Sequence, residues 1–236
     1  MLTKQVEIFG ISIFATTTKK PDSKLLHATG LLAQYLDNDN DSQPDNQFVT
    51  QAIHQSKGAV VMSATRQESD EIDVHRYIPE KVWDNMTILG LYVEETHPYG
   101  ANRGLFSAAY EEILHLITSA GYANAYPNMF GKKRGTAIAL AMDQAWYTYD
   151  DRSCDYGCQI TEYIYWGITS ILGAQDFPGR LDHISQKWRL NTTAKVKVGD
   201  PTLYQLFIDP QYAFPTKLPD GKYNPQPDPT ESPSTK

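Results

Sequence analysis

The stretch Tyr110-Glu111-Glu112-Ile113-Leu114-His115 combines ionisable side chains with a helical apolar pattern. Apolar residues at positions 105, 113, 116 and 117 predict a buried amphipathic helix over about residues 104–119. Residues four apart lie on one face of such a helix, so Glu111 and His115 can bind one ion together. Adjacent carboxylates on an apolar helix cost free energy unless a cation or hydrogen bonds compensate them, which favours a metal site. The alternative is a solvated helix edge, at which both glutamates face water and the histidine packs locally.

A second helix, predicted over about residues 159–172, offers a further ligand. Glu162 is the acidic residue on this otherwise apolar helix. A lone carboxylate on a buried helix needs a partner, and the same metal ion is one candidate. The alternative partners are Arg134, Arg152 or a backbone group.

These features resemble the zincin metallopeptidases, whose H-E-x-x-H helix carries two histidine ligands and a water-activating glutamate. The resemblance covers about residues 104–175 and includes the continuation His115-x-x-Thr118-x-x-Gly121-Tyr122. The pattern is similar to the zincin group that takes its third ligand from a glutamate on a later helix, which includes the lethal-factor-like enzymes. The chain departs from the family at the first ligand position, where Glu111 stands instead of histidine.

The resemblance implies a role for each of five residues. The metal ligands would be Glu111, His115 and Glu162. The general base would be Glu112, and the donor to the developing oxyanion would be Tyr156. Tyr163 and Tyr165 are alternative donors, but Tyr156 precedes the Glu162 helix, where such a donor often lies in the family. An oxygen-rich ligand set holds Zn2+ less selectively than two histidines and suits Mn2+ or Fe2+ better. The implied activity is hydrolysis of a peptide or related amide by metal-activated water.

A second motif, Asp37-Asn-Asp39-Asn-Asp41-Ser-Gln43-Pro-Asp45, follows a predicted helix and carries alternating carboxylates. Calcium prefers six or more hard oxygen ligands, and alternate residues of a curled loop can all point inwards. The pattern therefore predicts a calcium site. The predicted ligands are the backbone carbonyl of Gln43 and four side chains, Asp37, Asp39, Asp41 and Asp45.

This acidic loop resembles those of EF-hands, dockerins and thrombospondin type 3 repeats. Ser42 replaces the turn glycine, and Phe48 stands where an EF-hand has a bidentate glutamate. The resemblance therefore implies modest affinity and a structural role suited to extracellular calcium levels. The alternative is an acidic, solvated turn that caps the next helix.

The composition indicates a single soluble core. A chain of 236 residues with 41% hydrophobic content can build one good core, predicted over residues 1–217. The formal charge of -7 argues against nucleic acid or an anionic membrane as a partner. No run approaches the roughly twenty apolar residues that a membrane span needs. Prolines among polar residues predict a disordered tail over residues 218–236.

The predicted fold class is α+β, a mostly helical zincin-like domain with a small sheet. The predicted strands cover about residues 6–16, 59–63 and 86–93. Besides the two helices above, predicted helices cover about residues 25–36, 47–56, 136–146 and 181–188. The sequence after residue 188 is expected to be loosely structured.

The two cysteines bear on the cellular compartment. Cys154 and Cys158 flank Asp-Tyr-Gly, so they can form a small disulfide or remain two buried thiols. Two cysteines alone are too few for a structural zinc site. The calcium loop and the cysteine pair together favour an extracellular or periplasmic location, and the start of the sequence predicts a strand rather than a signal peptide.

The function predicted first is a calcium-stabilised metalloprotein of zincin type with hydrolase activity. A catalytically inactive pseudopeptidase that binds a protein partner is the second hypothesis. The third is a secreted structural domain whose only ion is calcium. Stoichiometric metal at the predicted ligands, lost in Glu162→Ala, distinguishes the first hypothesis from the second, in which the metal is weak or absent. For the third hypothesis, removing calcium should unfold the domain, and changes at His115 should leave any function untouched.

Overall fold

A computed structural model describes residues 2–16, 22–72, 79–149 and 152–225 of the chain. The fold is α+β, with helices packed around a small four-stranded mixed sheet, which confirms the predicted α+β class. The strands are β1 Leu2–Ile8, β2 Ile11–Thr16, β3 Ala59–Ser63 and β4 Ile88–Tyr92, in the spatial order β1-β2-β3-β4. β1 and β2 are antiparallel, whereas β2, β3 and β4 run parallel.

The single strand predicted over residues 6–16 is wrong, because the chain forms a hairpin there. Phe9 and Gly10 make a two-residue turn in which both φ angles are positive, 50° and 73°. Two-residue hairpin turns need this left-handed backbone, because it matches the twist of the flanking strands. Glycine supplies it readily, but the phenylalanine gave no turn signal.

Helices make up about half of the remaining described chain. They are α1 Ser23–Leu36, α2 Gln47–Gln55, α3 Arg66–Glu71, α4 Glu80–Trp83, α5 Ala108–Leu116, α6 Ala123–Ala125, α7 Ala137–Gln144, α8 Tyr156–Ile171, α9 Arg180–Ile184, α10 Thr193–Gly199 and α11 Pro201–Ile208. The predictions of α1, α2, α5, α7, α8 and α9 are confirmed, with ends that differ by a few residues. No described helix is long and apolar enough to cross a membrane.

The loose structure expected after residue 188 is wrong, because α10 and α11 lie there. Thr192 caps α10 by accepting a hydrogen bond from the Lys195 amide, and Asp200 caps α11 through the Leu203 amide. Pro201 at the first position of α11 is a further helix-start signal, since its φ is already helical. These caps were present in the sequence as local signals.

The motif helix α5 lies at the centre of the molecule. It packs against β3 and β4, α1 and α8, with Ile113 and Leu116 fully buried. Its last turn continues without a break into a π-helical segment, Ile117–Tyr122. A Cβ atom on Gly121 would lie 2.7 Å from a methyl carbon of Val49, so this glycine allows α2 to approach closely. The apolar face predicted for α5 is therefore the surface through which this helix packs against its neighbours.

The C-terminal segment packs against α1 and α5 before the described residues end. The Tyr110 hydroxyl donates to the Pro219 carbonyl oxygen at 2.8 Å. Gln34 accepts hydrogen bonds from the amides of Asp220 and Gly221 at 3.0 and 2.8 Å. The prediction that disorder begins at residue 218 is therefore wrong for residues 218–225, because specific polar contacts hold them. Residues 226–236 lie outside the described residues.

Candidate metal centre

Three predicted ligands come together between α5 and α8. Glu111 and His115 lie one turn apart on α5, and Glu162 reaches them from the facing side of α8. One ligand atom from each side chain lies within 4.8 Å of the other two. His115 and Glu162 are buried, with 8% and 7% of their surface exposed, and Glu111 is half-buried. The helical spacing and the lone carboxylate on α8 thus place their side chains in one buried cluster.

The contact between His115 and Glu162 is too long to be a hydrogen bond. His115 Nε2 lies 3.7 Å from Glu162 Oε1, and it has no hydrogen-bond partner among the described residues. A charge-assisted N–H···O bond spans about 2.7–2.9 Å. A buried ring nitrogen without a partner is costly, because it has lost water and gained nothing in exchange. The protein alone therefore leaves this nitrogen unsatisfied.

The separation agrees with two atoms that share one ion. Metal bonds to histidine nitrogen and carboxylate oxygen are about 2.0–2.2 Å long, so two ligand atoms at a tetrahedral angle lie roughly 3.3–3.6 Å apart. The observed 3.7 Å is close to this range. The unpartnered Nε2 atom and the two carboxylates form a donor set that fits a divalent transition metal.

The carboxylates of the cluster hold protons more tightly than usual in the absence of an ion. Burial raises the pKa of Glu111 to about 7, with Glu162 and Glu112 adding to the increase and His115 opposing it. Burial likewise raises the pKa of Glu162. For His115, burial is the largest single effect and favours the neutral ring, but the three surrounding carboxylates together raise its pKa. A bound cation would relieve this concentration of negative charge.

Tyrosines surround the cluster, and two of them were not identified from the sequence. Tyr149 hydrogen-bonds to the Glu162 carboxylate, and Tyr165 hydrogen-bonds to Glu111. The hydroxyl of Tyr147 is buried without a hydrogen-bond partner among the described residues, and the charges of Glu162 and Glu111 contribute to the increase in its pKa. Tyr147 and Tyr149 lie in a segment without regular structure, so no helical spacing linked them to the metal ligands.

Tyr156, the predicted oxyanion donor, lies in other contacts. It is the first residue of α8, and its hydroxyl donates to Asp143 Oδ1 at 2.9 Å. The Arg134 guanidinium lies 4.0 Å from the centre of its ring and pairs with Asp143 at 3.8 Å. Arg134 is thus placed against Asp143 and Tyr156 rather than against Glu162. The oxyanion role of Tyr156 stays a prediction, and in the structure its hydroxyl is engaged by Asp143.

The alternative donors divide between two locations. The hydroxyl of Tyr163 donates to the Asp200 carboxylate, on the side of α8 that faces α11. The ring of Tyr165 instead lies edge-on to the His115 imidazole, with 5.7 Å between ring centroids. Its hydroxyl also accepts a hydrogen bond from Gln175 at 3.2 Å. Of the three tyrosines considered from the sequence, Tyr165 is therefore the one in contact with the cluster.

Glu112, the predicted general base, faces the other nitrogen of the histidine. Its Oε2 atom lies 3.8 Å from His115 Nδ1, whereas Glu162 approaches Nε2. The two side chains are three residues apart on α5, which places them side by side on the helix surface. The carboxylate of Glu112 therefore lies on the far side of the imidazole from Glu162.

The acidic loop brings three of its four predicted carboxylates together. One oxygen from each of Asp37, Asp39 and Asp45 lies within 4.8 Å of the other two. Asp41 is not in this group, and its Oδ1 accepts a hydrogen bond from the Gln43 amide at 2.8 Å. The role of the Gln43 carbonyl stays a prediction.

Asp37 organises the loop from a fully buried position. Its two oxygens accept hydrogen bonds from the amides of Asp41 and Ser42 at 3.0 and 2.9 Å, and the Tyr223 hydroxyl also donates to it. Ser42 takes a left-handed conformation with φ of 76°, the backbone geometry that the turn glycine would provide. The loop thus curls as predicted, although protein donors already satisfy its central carboxylate.

Cys154 and Cys158 form a disulfide across the first turn of α8. Asp155, between them, caps this helix by accepting a hydrogen bond from the Cys158 amide at 2.8 Å. The disulfide and the cap both fix the N-terminal end of α8, the helix that carries Glu162.

No protein-family model matches the chain, and neither the curated proteins nor the solved structures include a significant match.

Proposed function

We propose that the protein is a metal-dependent hydrolase of zincin type, with a transition metal held by Glu111, His115 and Glu162. The buried Nε2 atom of His115, which lacks a partner and points towards Glu162, is the observation that supports this proposal most strongly. The oxygen-rich donor set suits Zn2+, Mn2+ or Fe2+. The substrate class that the resemblance suggests is a peptide or a related amide.

When bound, the ion would lower the pKa of a water ligand towards neutrality and polarise a substrate carbonyl. The residues of the chain supply positioning and hydrogen bonds. Tyr149 and Tyr165 orient the ligand carboxylates through their hydrogen bonds. Tyr147 has a buried hydroxyl that remains available as a donor, and the chemistry needs one where charge develops on a carbonyl oxygen.

We propose a structural Ca2+ for the loop of Asp37, Asp39 and Asp45. This ion would tie α1 to α2, since the loop connects the two helices. The disulfide on α8 and a weak calcium site both suit an extracellular or periplasmic compartment.

The hydrolase proposal is tested by reloading chelator-stripped protein with Zn2+, Mn2+ or Fe2+ and assaying a pool of fluorogenic peptides. Cleavage is expected only with metal, and Glu162→Gln should abolish it by removing a ligand. Asp143→Asn, at an exposed carboxylate near the start of α8, is the matched control and should cleave like the parent. A parent protein that binds one equivalent of metal but cleaves no peptide would contradict the hydrolase assignment. That outcome would favour the pseudopeptidase.

A further inference from the structure

The two ring nitrogens of His115 face two different carboxylates. Nε2 points towards Glu162 at 3.7 Å, and Nδ1 points towards Glu112 at 3.8 Å. The two nitrogens lie on opposite sides of an imidazole ring, so one carboxylate cannot serve both. The Tyr165 ring packs edge-on against the imidazole, with 5.7 Å between ring centroids.

We infer that Glu112 is a positioning residue, which accepts the Nδ1 proton of His115 and thereby presents Nε2 as the metal-binding atom. This inference rests on the proposed metal centre and replaces the general-base role that the family resemblance implies. A metal-binding histidine commonly donates its other N–H to a carboxylate, which fixes both the tautomer and the orientation of the ring.

The geometry disfavours the general-base role for Glu112. A base must lie within about 2.6–3.2 Å of the atom whose proton it takes, or reach it through one water. The reacting water would share the ion with Nε2, on the side of the ring where Glu162 lies. The carboxylate of Glu112 contacts the nitrogen that points away from this side. A hydrogen bond at Nδ1 requires the 3.8 Å separation from Glu112 Oε2 to shorten by roughly 0.6–1.1 Å.

The paired substitutions Glu112→Gln and Glu112→Ala separate the two roles, because an amide oxygen still accepts a hydrogen bond whereas a methyl group does not. Zinc affinity of the purified, chelator-stripped protein is measured by competition with a chromophoric chelator. We expect Glu112→Ala to bind zinc about 10–100-fold more weakly and Glu112→Gln to remain within about threefold of the parent. Glu94→Ala, at an exposed glutamate, is the control for loss of a surface charge and should bind like the parent.

A second readout follows the tautomer directly. In chelator-stripped protein with 15N-labelled histidine, held at alkaline pH so that the ring is neutral, the His115 ring of the parent and of Glu112→Gln should carry its proton on Nδ1. A proton on Nε2 in both proteins would overturn the positioning role. Equal zinc affinity in the parent, Glu112→Gln and Glu112→Ala would overturn the positioning role. Loss of peptide cleavage in both variants would then favour the general-base role for Glu112. If the parent itself binds no zinc, the result rejects the proposed metal centre, and the role of Glu112 is rejected with it. Thermal melts exclude misfolding, and should the Ala variant not fold, the Gln variant and its tautomer still decide.

Discussion

The cluster between α5 and α8 and the acidic loop after α1 both gather carboxylates, but they differ in how far hydrogen bonds from the protein satisfy their buried polar atoms. In the loop, the buried Asp37 accepts two backbone amides and a tyrosine hydroxyl. In the cluster, His115 Nε2 has no hydrogen-bond partner among the described residues. The loop can therefore exist as a folded turn without an ion, whereas the cluster leaves a buried donor set incomplete.

The cluster is the stronger indication of a metal, because the two sites differ in the backbone amides that are available to their carboxylates. Alternating aspartates in one loop have their own amides close by, and those amides compensate the charge. Side chains that meet from two helices have no backbone amides to spare, because the helices use them internally. An ion is therefore expected to matter more for the cluster than for the loop.

The largest expected effect is on zinc binding, which should depend on the cluster and not on the loop. Glu162→Ala should weaken zinc binding by at least about 100-fold, because it removes one of three protein ligands. Asp39→Asn should leave zinc binding unchanged. Isothermal titration of each chelator-stripped variant with Zn2+ provides the measurement. Equal zinc affinity in the parent and Glu162→Ala would remove Glu162 from the metal centre and with it the contrast between the sites.

A second prediction concerns the stability of the metal-free protein between about pH 5 and pH 7. Burial raises the pKa of Glu111 to about 7, so the folded state holds a proton that the unfolded chain releases. The free energy of unfolding should therefore fall by up to about 1 kcal/mol per pH unit as pH rises through this window. Above the window it should be constant. Glu111→Gln should remove much of this slope, because the amide does not titrate.

Urea unfolding at several pH values in the presence of chelator measures this slope, with Asp143→Asn as the control at an exposed carboxylate. A Glu111→Gln variant with the same slope as the parent would show that Glu111 is not the group responsible. Saturating Zn2+ should flatten or reverse the parent's slope, because metal binding requires the deprotonated ligands.

The third prediction restores the ligand type that the zincin pattern has at position 111. Glu111→His should raise zinc affinity about tenfold, because imidazole is the better ligand for this ion. The binding of Mn2+ should weaken in the same variant, since an oxygen donor is lost. Competition titrations with both metals provide the test. Unchanged affinity for both metals would mean that the side chain at position 111 does not reach the ion.

The smallest expected effect is that of calcium on the loop. Saturating Ca2+ should raise the melting temperature by roughly 2–4 °C relative to chelator, through binding to the folded state. The shift should persist in Glu162→Ala and disappear in Asp39→Asn. Identical melting curves with millimolar calcium and with chelator would reject the calcium assignment of the loop.

The sequence predicted those parts of the site that depend on local spacing. The four-residue spacing of Glu111 and His115 placed both on one face of α5, and the apolar pattern around Glu162 indicated a buried carboxylate. The contributions of Tyr147 and Tyr149 could not be predicted, because a segment without periodicity is positioned only by tertiary contacts. The direction of the Glu112 side chain is also a tertiary property, since the helix allows it to turn towards either side of the histidine.

The fold shows the same division between local signals and tertiary contacts. The helices with clear apolar stripes were predicted, as was the buried strand β3. The turn at Phe9 was not, because its left-handed backbone is atypical for phenylalanine. Likewise, nothing in the proline-rich composition after residue 218 indicated the contacts of Pro219 and Asp220 with α5 and α1.

The most direct test of the metal centre is elemental analysis of untagged protein purified without chelator. We expect about one equivalent of zinc, manganese or iron in the parent and its loss in His115→Ala, with any bound calcium unaffected by that substitution. Calcium alone, or a parent that remains free of transition metal after dialysis against Zn2+, Mn2+ and Fe2+, would contradict the proposed metal centre.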